Sequence, residues 1–93
     1  MPDQKSFRSL VERIRESNDI VEIVSEHVAL DRSHKALCPF HEEKTPSFHV
    51  NPAGQYFKCF GCGVGGDVFK FVELREHLPF MEALRRRASR ANI

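Results

Sequence analysis

The chain is 93 residues long, which is room for one domain or part of one, and its 41% of hydrophobic residues support a core of modest size. A formal charge of +1 excludes a polycation that coats nucleic acid through charge alone. Three cysteines cannot all pair as disulfides, and no apolar run is long enough for a membrane span or for a secretory signal at the start.

Phe7, Leu10, Val11 and Ile14 recur at the spacing of an amphipathic helix, with Arg8, Glu12, Arg15 and Glu16 on its other side. Ser17-Asn18 breaks that pattern. Asp19 reads as the N-cap of a second, short helix, with Glu22 as its capping-box partner and Ile20, Ile23 and Val24 turned to the core. His27 to Leu30 is expected to be a strand with Val28 and Leu30 on one face, followed by a polar turn over 31–35. Phe48-His49-Val50 alternates as a strand, Asn51-Pro52-Ala53-Gly54 is a turn, and Gln55 to Cys59 returns as the opposite arm. Gly65-Gly66 reads as a flexible break. Asp67 then caps a helix running through Leu74, with Val68, Phe71 and Val72 on its apolar stripe. Pro79 suits the first turn of a last helix, whose buried face is expected to hold Phe80, Leu84, Ala88 and Ala91. The fold class is therefore small α+β: a zinc-ribbon antiparallel sheet over 27–64, with helices over 1–26 and 65–93 on either side, in a single domain spanning 1–93.

The chemistry concentrates in two pairs of soft donors. Cys38-Pro39-Phe40-His41 and Cys59-Phe60-Gly61-Cys62 each place two ligand-type side chains two residues apart, separated by residues 42–58. A two-residue gap lets one tight turn aim both donors at one ion, and four such donors close a tetrahedron around Zn²⁺. Gly61 and Gly63 flank Cys62, where the turn needs backbone that tolerates positive φ. The alternative is a set of buried thiols with a surface histidine. His34 and His49 are the spare candidates for the fourth ligand, and the spacing favours His41. Four protein ligands leave no open coordination position, so one structural zinc is expected rather than a catalytic one. Reduced thiolates holding metal point to a cytoplasmic protein. Three thiolates and a divalent ion bring the formal +1 to about zero.

The runs Cys38-Pro39-Phe40-His41-Glu42-Glu43-Lys44-Thr45-Pro46-Ser47-Phe48 and Tyr56-Phe57-Lys58-Cys59-Phe60-Gly61-Cys62-Gly63, with Gly65-Gly66-Asp67 after them, closely resemble the N-terminal zinc-binding domain of bacterial DnaG-type DNA primases. The likeness reaches back to Asp19-Ile20-Val21 and forward to Phe80-Met81-Glu82-Ala83-Leu84-Arg85-Arg86. It implies a module that helps engage single-stranded template DNA for RNA primer synthesis in replication. It also implies a primase catalytic domain acting in cis or in trans, and a replicative helicase reached only through domains that this sequence does not contain. Two departures stand out: the segment 31–37 before the first knuckle is shorter than is usual in the family, and Arg87 stands where an apolar residue is common.

Lys44, Lys58, Tyr56 and His49 are the candidate template contacts, with Lys35 as a weaker one. Residues two apart in a strand share a face, so Lys58 and Tyr56 lie together, opposite Phe57 and Cys59. A cation beside an aromatic ring can take a phosphate while a base stacks. The plainer alternative is an ordinary solvated sheet face. Thr45 and Ser47 either bind phosphate or cap the turn around Pro46. Of Phe40, Phe48, Phe57 and Phe60, most should be core, and any exposed ring would support stacking. Arg85, Arg86, Arg87 and Arg90 favour the negative end of the last helix, and the Arg87 head is expected in water with its stem over the core. No catalytic constellation is present. A second reading is a protein-interaction module that docks onto a primase catalytic domain, or another replication protein, through its apolar and arginine-rich helices.

Overall fold

A computed structural model describes residues 4–42 and 44–92, so Glu43 of the first motif lies outside the described residues. Helix α1 (Gln4–Glu16) is followed by α2 (Ile20–Ser25), strands β1 (Lys35–Ala36), β2 (Phe48–Asn51), β3 (Tyr56–Cys59) and β4 (Gly65–Gly66), then α3 (Val68–Glu76) and α4 (Phe80–Arg90). The strands form one antiparallel sheet in the order β1-β2-β3-β4. This is the expected small α+β architecture, with helices before and after the sheet.

The helix starts follow from their capping side chains. The Asp19 carboxylate accepts the Glu22 backbone N–H at 3.2 Å, and the Asp67 carboxylate accepts that of Lys70 at 3.0 Å. Pro79 precedes α4 in an extended conformation, where its missing N–H costs nothing. Among the described residues, no helix is long and apolar enough to cross a membrane.

One face of the sheet carries Ala36, Phe48, Val50, Phe57 and Cys59, all buried. Phe71 of α3 closes over it. The Phe48 and Phe57 rings stack at 5.4 Å, and Phe71 meets Phe57 edge-on at 5.7 Å. Helix α3 is buried more widely than one stripe. Besides Val68, Phe71 and Val72, Phe69 is buried and turns toward Phe80 of α4, 5.8 Å between ring centres. The reason is position: α3 packs against the sheet and α2 as well as against α4.

Five expectations are corrected. His27–Leu30 is not a strand. The His27 and Val28 N–H groups donate back to Val24 O at 3.0 and 2.9 Å, prolonging the end of α2, and the first strand falls at Lys35–Ala36 instead. Gly65-Gly66 is not a loose break but β4, paired with Lys58 and Phe57. In α1, Ile14 is buried while Phe7 and Leu10 stay exposed, because only the C-terminal half of that helix meets the core. In α4 the buried residues are Ala83, Leu84 and Arg87, with Ala88 half-buried and Phe80 exposed. Finally, the Arg87 head does not reach water: the residue is 3% exposed, and its Nε has no hydrogen-bond partner among the described residues.

Candidate metal centre and nucleic-acid interface

Cys38 follows β1, Cys59 ends β3, and the two turns that leave them carry His41 and Cys62. The ligand atoms of these four residues all lie within 4.8 Å of one another. Cys38 Sγ is 4.0 Å from Cys62 Sγ, and His41 Nε2 is 3.3 Å from Cys59 Sγ. Around a tetrahedral zinc, two sulfurs would stand about 3.8 Å apart, and a sulfur and a nitrogen about 3.6 Å apart. The observed separations match a site of that size.

The surroundings are those of a ligand set. His41 Nδ1 lies 3.1 Å from the Glu42 carbonyl oxygen. A carbonyl only accepts, so the imidazole proton sits on Nδ1 and Nε2 carries the lone pair. The Phe40 N–H points at Cys38 Sγ at 3.4 Å. Without a cation, burial pushes the Cys38 thiol up to about 12. Burial also pushes on Cys59, but hydrogen bonds to its sulfur, the backbone N–H groups of Cys62 and Gly61 among them, outweigh it and bring that thiol down to about 7. Gly63 closes the second turn at φ 84°, a conformation that L side chains rarely adopt. His34 and His49 stand outside this group, His34 just before β1 and His49 within β2.

The outer face of the sheet gathers most of the other candidates. Lys35 pairs with His49, and His49 with Lys58, so these three side chains form a row across β1, β2 and β3. Tyr56 lies two residues from Lys58 on the same side and is 46% exposed. Its hydroxyl accepts from Asn51 Nδ2 at 3.1 Å. Its ring passes over Gly54, where an added Cβ would come within 2.5 Å of it. Lys58 Nζ donates to Gly63 O at 3.0 Å. A groove of about 540 Å³ runs over this face and includes His34, His49, Asn51, Tyr56, Lys58 and Phe60.

Lys44 is not in that row. It stands near the metal group with Leu37, Cys38, His41 and Glu42. The Ser47 hydroxyl donates to Thr45 O at 3.3 Å, which favours the turn-capping role. Sequence reasoning left Phe60 unassigned and considered His34 only as a spare metal ligand. Phe60 is 71% exposed and meets His49 edge-to-face at 4.9 Å. Its place in a two-residue gap between ligands gave no signal for this, since Phe40 occupies the other gap and packs inward. Asp31 shapes the entry to β1: its carboxylate accepts the Lys35 and Ser33 N–H groups, and these bonds hold it below the usual carboxylate range.

A small antiparallel sheet with a Cys-His-Cys-Cys group at one end, coordinatively complete, defines a zinc-ribbon domain with one structural zinc. The profile of the CHC2 zinc finger family matches residues 6–93, and the chain belongs to that family. It is 52% identical over 89 residues to a DNA primase of Thermotoga maritima, covering 92% of this chain and 16% of that protein. It is 49% identical over 86 residues to a DNA primase of Geobacillus stearothermophilus, covering 89% of this chain and 14% of the relative. The fold superposes on the Aquifex aeolicus primase structure of zinc-binding and RNA polymerase domains with a TM-score of 0.85. The identity is 44%, over 89% of this chain and 21% of that one. The chain thus corresponds to the zinc-binding domain of DNA primases and spans only a small part of their length.

Proposed function

We propose that this domain binds single-stranded template DNA for a primase through the outer face of its sheet, with zinc held by Cys38, His41, Cys59 and Cys62 fixing that face. The alignment of Lys35, His49 and Lys58 across three strands, beside the exposed rings of Tyr56 and Phe60, carries the reading. Lysine side chains suit backbone phosphates, and open aromatic faces suit unstacked bases. Lys44, which stands beside the zinc group and outside that row, is a further candidate contact. The setting is replication in the cytoplasm, beside a primase catalytic domain in cis or in trans, with a helicase engaged elsewhere. The relatives are DNA primases many times longer than this chain, which supports that setting.

The test is anisotropy of a labelled single strand with zinc-loaded protein at several salt concentrations. The Lys35→Ala, Lys58→Ala double variant is expected to bind more weakly and to lower the salt slope by roughly 0.7 for each phosphate it no longer neutralises. Retained affinity with an unchanged slope rules out this face.

A second reading rests on another surface. Phe7, Leu10, Phe80 and Met81 are exposed on α1 and α4, and a groove of about 400 Å³ lies between Phe7, Val11, Arg15 and Phe80. An apolar patch of this kind supports docking onto a catalytic primase domain. Substitutions Phe7→Ser and Phe80→Ser that abolish such an association but spare DNA binding would assign the two faces to separate tasks.

A further inference from the structure

Two phenylalanines occupy the two ligand gaps and meet opposite fates. Phe40, between Cys38 and His41, turns inward and packs on Phe48, Phe57 and Phe71 at 6.2, 6.1 and 5.7 Å. Phe60, between Cys59 and Cys62, turns outward and is 71% exposed. Its backbone is nonetheless tightly fixed. The Phe60 N–H donates to Ser47 O at 2.9 Å, and the Gly63 N–H donates to Cys59 O at 2.8 Å, closing the turn around it. The Phe60 ring meets that of His49 at 4.9 Å, with the planes at 89°. The turn therefore presents a large apolar ring to solvent from a rigid base, where burying it would have been favourable. The ring borders the groove that holds Lys58, and Lys35 continues the cationic row on the far side of His49. The groove volume of about 540 Å³ lies within the ~300–1,000 Å³ usual for small-ligand clefts.

We propose that Phe60 is a stacking platform for one unstacked nucleobase of the bound single strand, that His49 positions the ring edge-on, and that Lys58 takes an adjoining phosphate. This rests on the sheet-face reading and adds to it a base-dependent contact at one defined nucleotide. A π-face is common to all bases, so the contact tolerates sequence while requiring that a base be present.

The experiment compares a labelled oligothymidylate with an abasic strand of the same length, using zinc-loaded protein. Phe60→Ala is expected to weaken binding of the base-bearing strand on the order of tenfold and to leave the abasic strand unchanged. Phe60→Tyr restores the contact, whereas Phe60→Leu, apolar but not aromatic, does not. Lys58→Ala weakens both strands and lowers the salt slope. If Phe60→Ala binds both strands like the parent while Lys58→Ala is impaired, stacking is wrong and the phosphate face stands. If neither substitution changes binding, the sheet-face reading falls and the platform with it. Zinc content measured on each variant establishes that the metal turn is intact.

Discussion

Arg87 shows how a single side chain can depart from its sequence-level reading. It occupies a position on α4 where the helix meets the core, it is 3% exposed, and its Nε has no hydrogen-bond partner among the described residues. Glu26 supplies a counter-charge 4.0 Å from Nη1, and it is shared with Arg90 at 3.5 Å. Asn18, also buried, donates to the Arg87 carbonyl at 3.3 Å and to Ile14 O at 2.7 Å, so the polar atoms here tie α1 to α4. A buried guanidinium with an incomplete shell gains little over an apolar side chain of similar length. Arg87→Met is therefore expected to leave stability unchanged or raise it by about 1–3 kcal/mol. Arg87→Ala, which leaves a cavity beside Asn18, should lower it by about 2–4 kcal/mol. Denaturant unfolding of the zinc-loaded variants decides between a structural burden and a required charge. A large loss in Arg87→Met would show that the charge itself holds the helices.

At the scale of elements, the β2–β3 turn is anchored to the start of α2 by Gln55. Its Oε1 accepts the Ile20 N–H at 2.9 Å, while its Nε2 donates to Asp19 Oδ1 at 2.8 Å and to Pro52 O at 2.8 Å. One amide thus satisfies a helix-start donor, orients the capping carboxylate, and closes the turn that carries Tyr56. Gln55→Ala should cost about 1–3 kcal/mol, because it strands the Ile20 N–H at a part-buried position. Faster amide exchange at Ile20 than in the parent protein would locate the loss there. Gln55 also adopts φ 54°, an uncommon left-handed conformation held by these three bonds. A weaker tie joins α1 to α3, where Arg15 donates to Asp67 at 3.0 Å; both side chains are partly exposed, so the pair contributes little.

For the molecule as a whole, zinc binding and folding are expected to be one equilibrium. The first donor pair follows β1 and the second starts at the last residue of β3, so the ion joins segments that the sheet alone holds through two- and four-residue strands. Structural zinc contributes roughly 10–16 kcal/mol of apparent binding free energy in finger peptides, more than the stability of a typical small domain. Chelation is expected to collapse amide dispersion across residues 35–66, and unchanged spectra would overturn that coupling. The pH dependence has a definite sign. In a zinc-free chain without that fold, Cys38 keeps the ordinary cysteine pKa of about 8.5, so it is mostly protonated across the neutral range and must release the proton on binding zinc. Zinc affinity should therefore rise about tenfold per pH unit or more between about pH 6 and 8. It should weaken by the same factor on acidification. Competition with a chromophoric chelator measures it, and a flat profile would mean that Cys38 binds without losing a proton.

The metal ligands, the helix caps at Asp19 and Asp67, the β2–β3 arms and the small α+β class were legible in the sequence, because each depends on residues close together in the chain. Spacing of two donors, a capping carboxylate and strand alternation are local constraints. Lys35, His49 and Lys58 were legible as candidates, but not the alignment of Lys35 with the other two, since that row exists only when three strands pair in register. The burial of Arg87, the pairing of Gly65-Gly66 and the outward turn of Phe60 likewise depend on what lies across the core. Tertiary packing decides them, because exposure and pairing are properties of neighbours that the chain brings together only on folding.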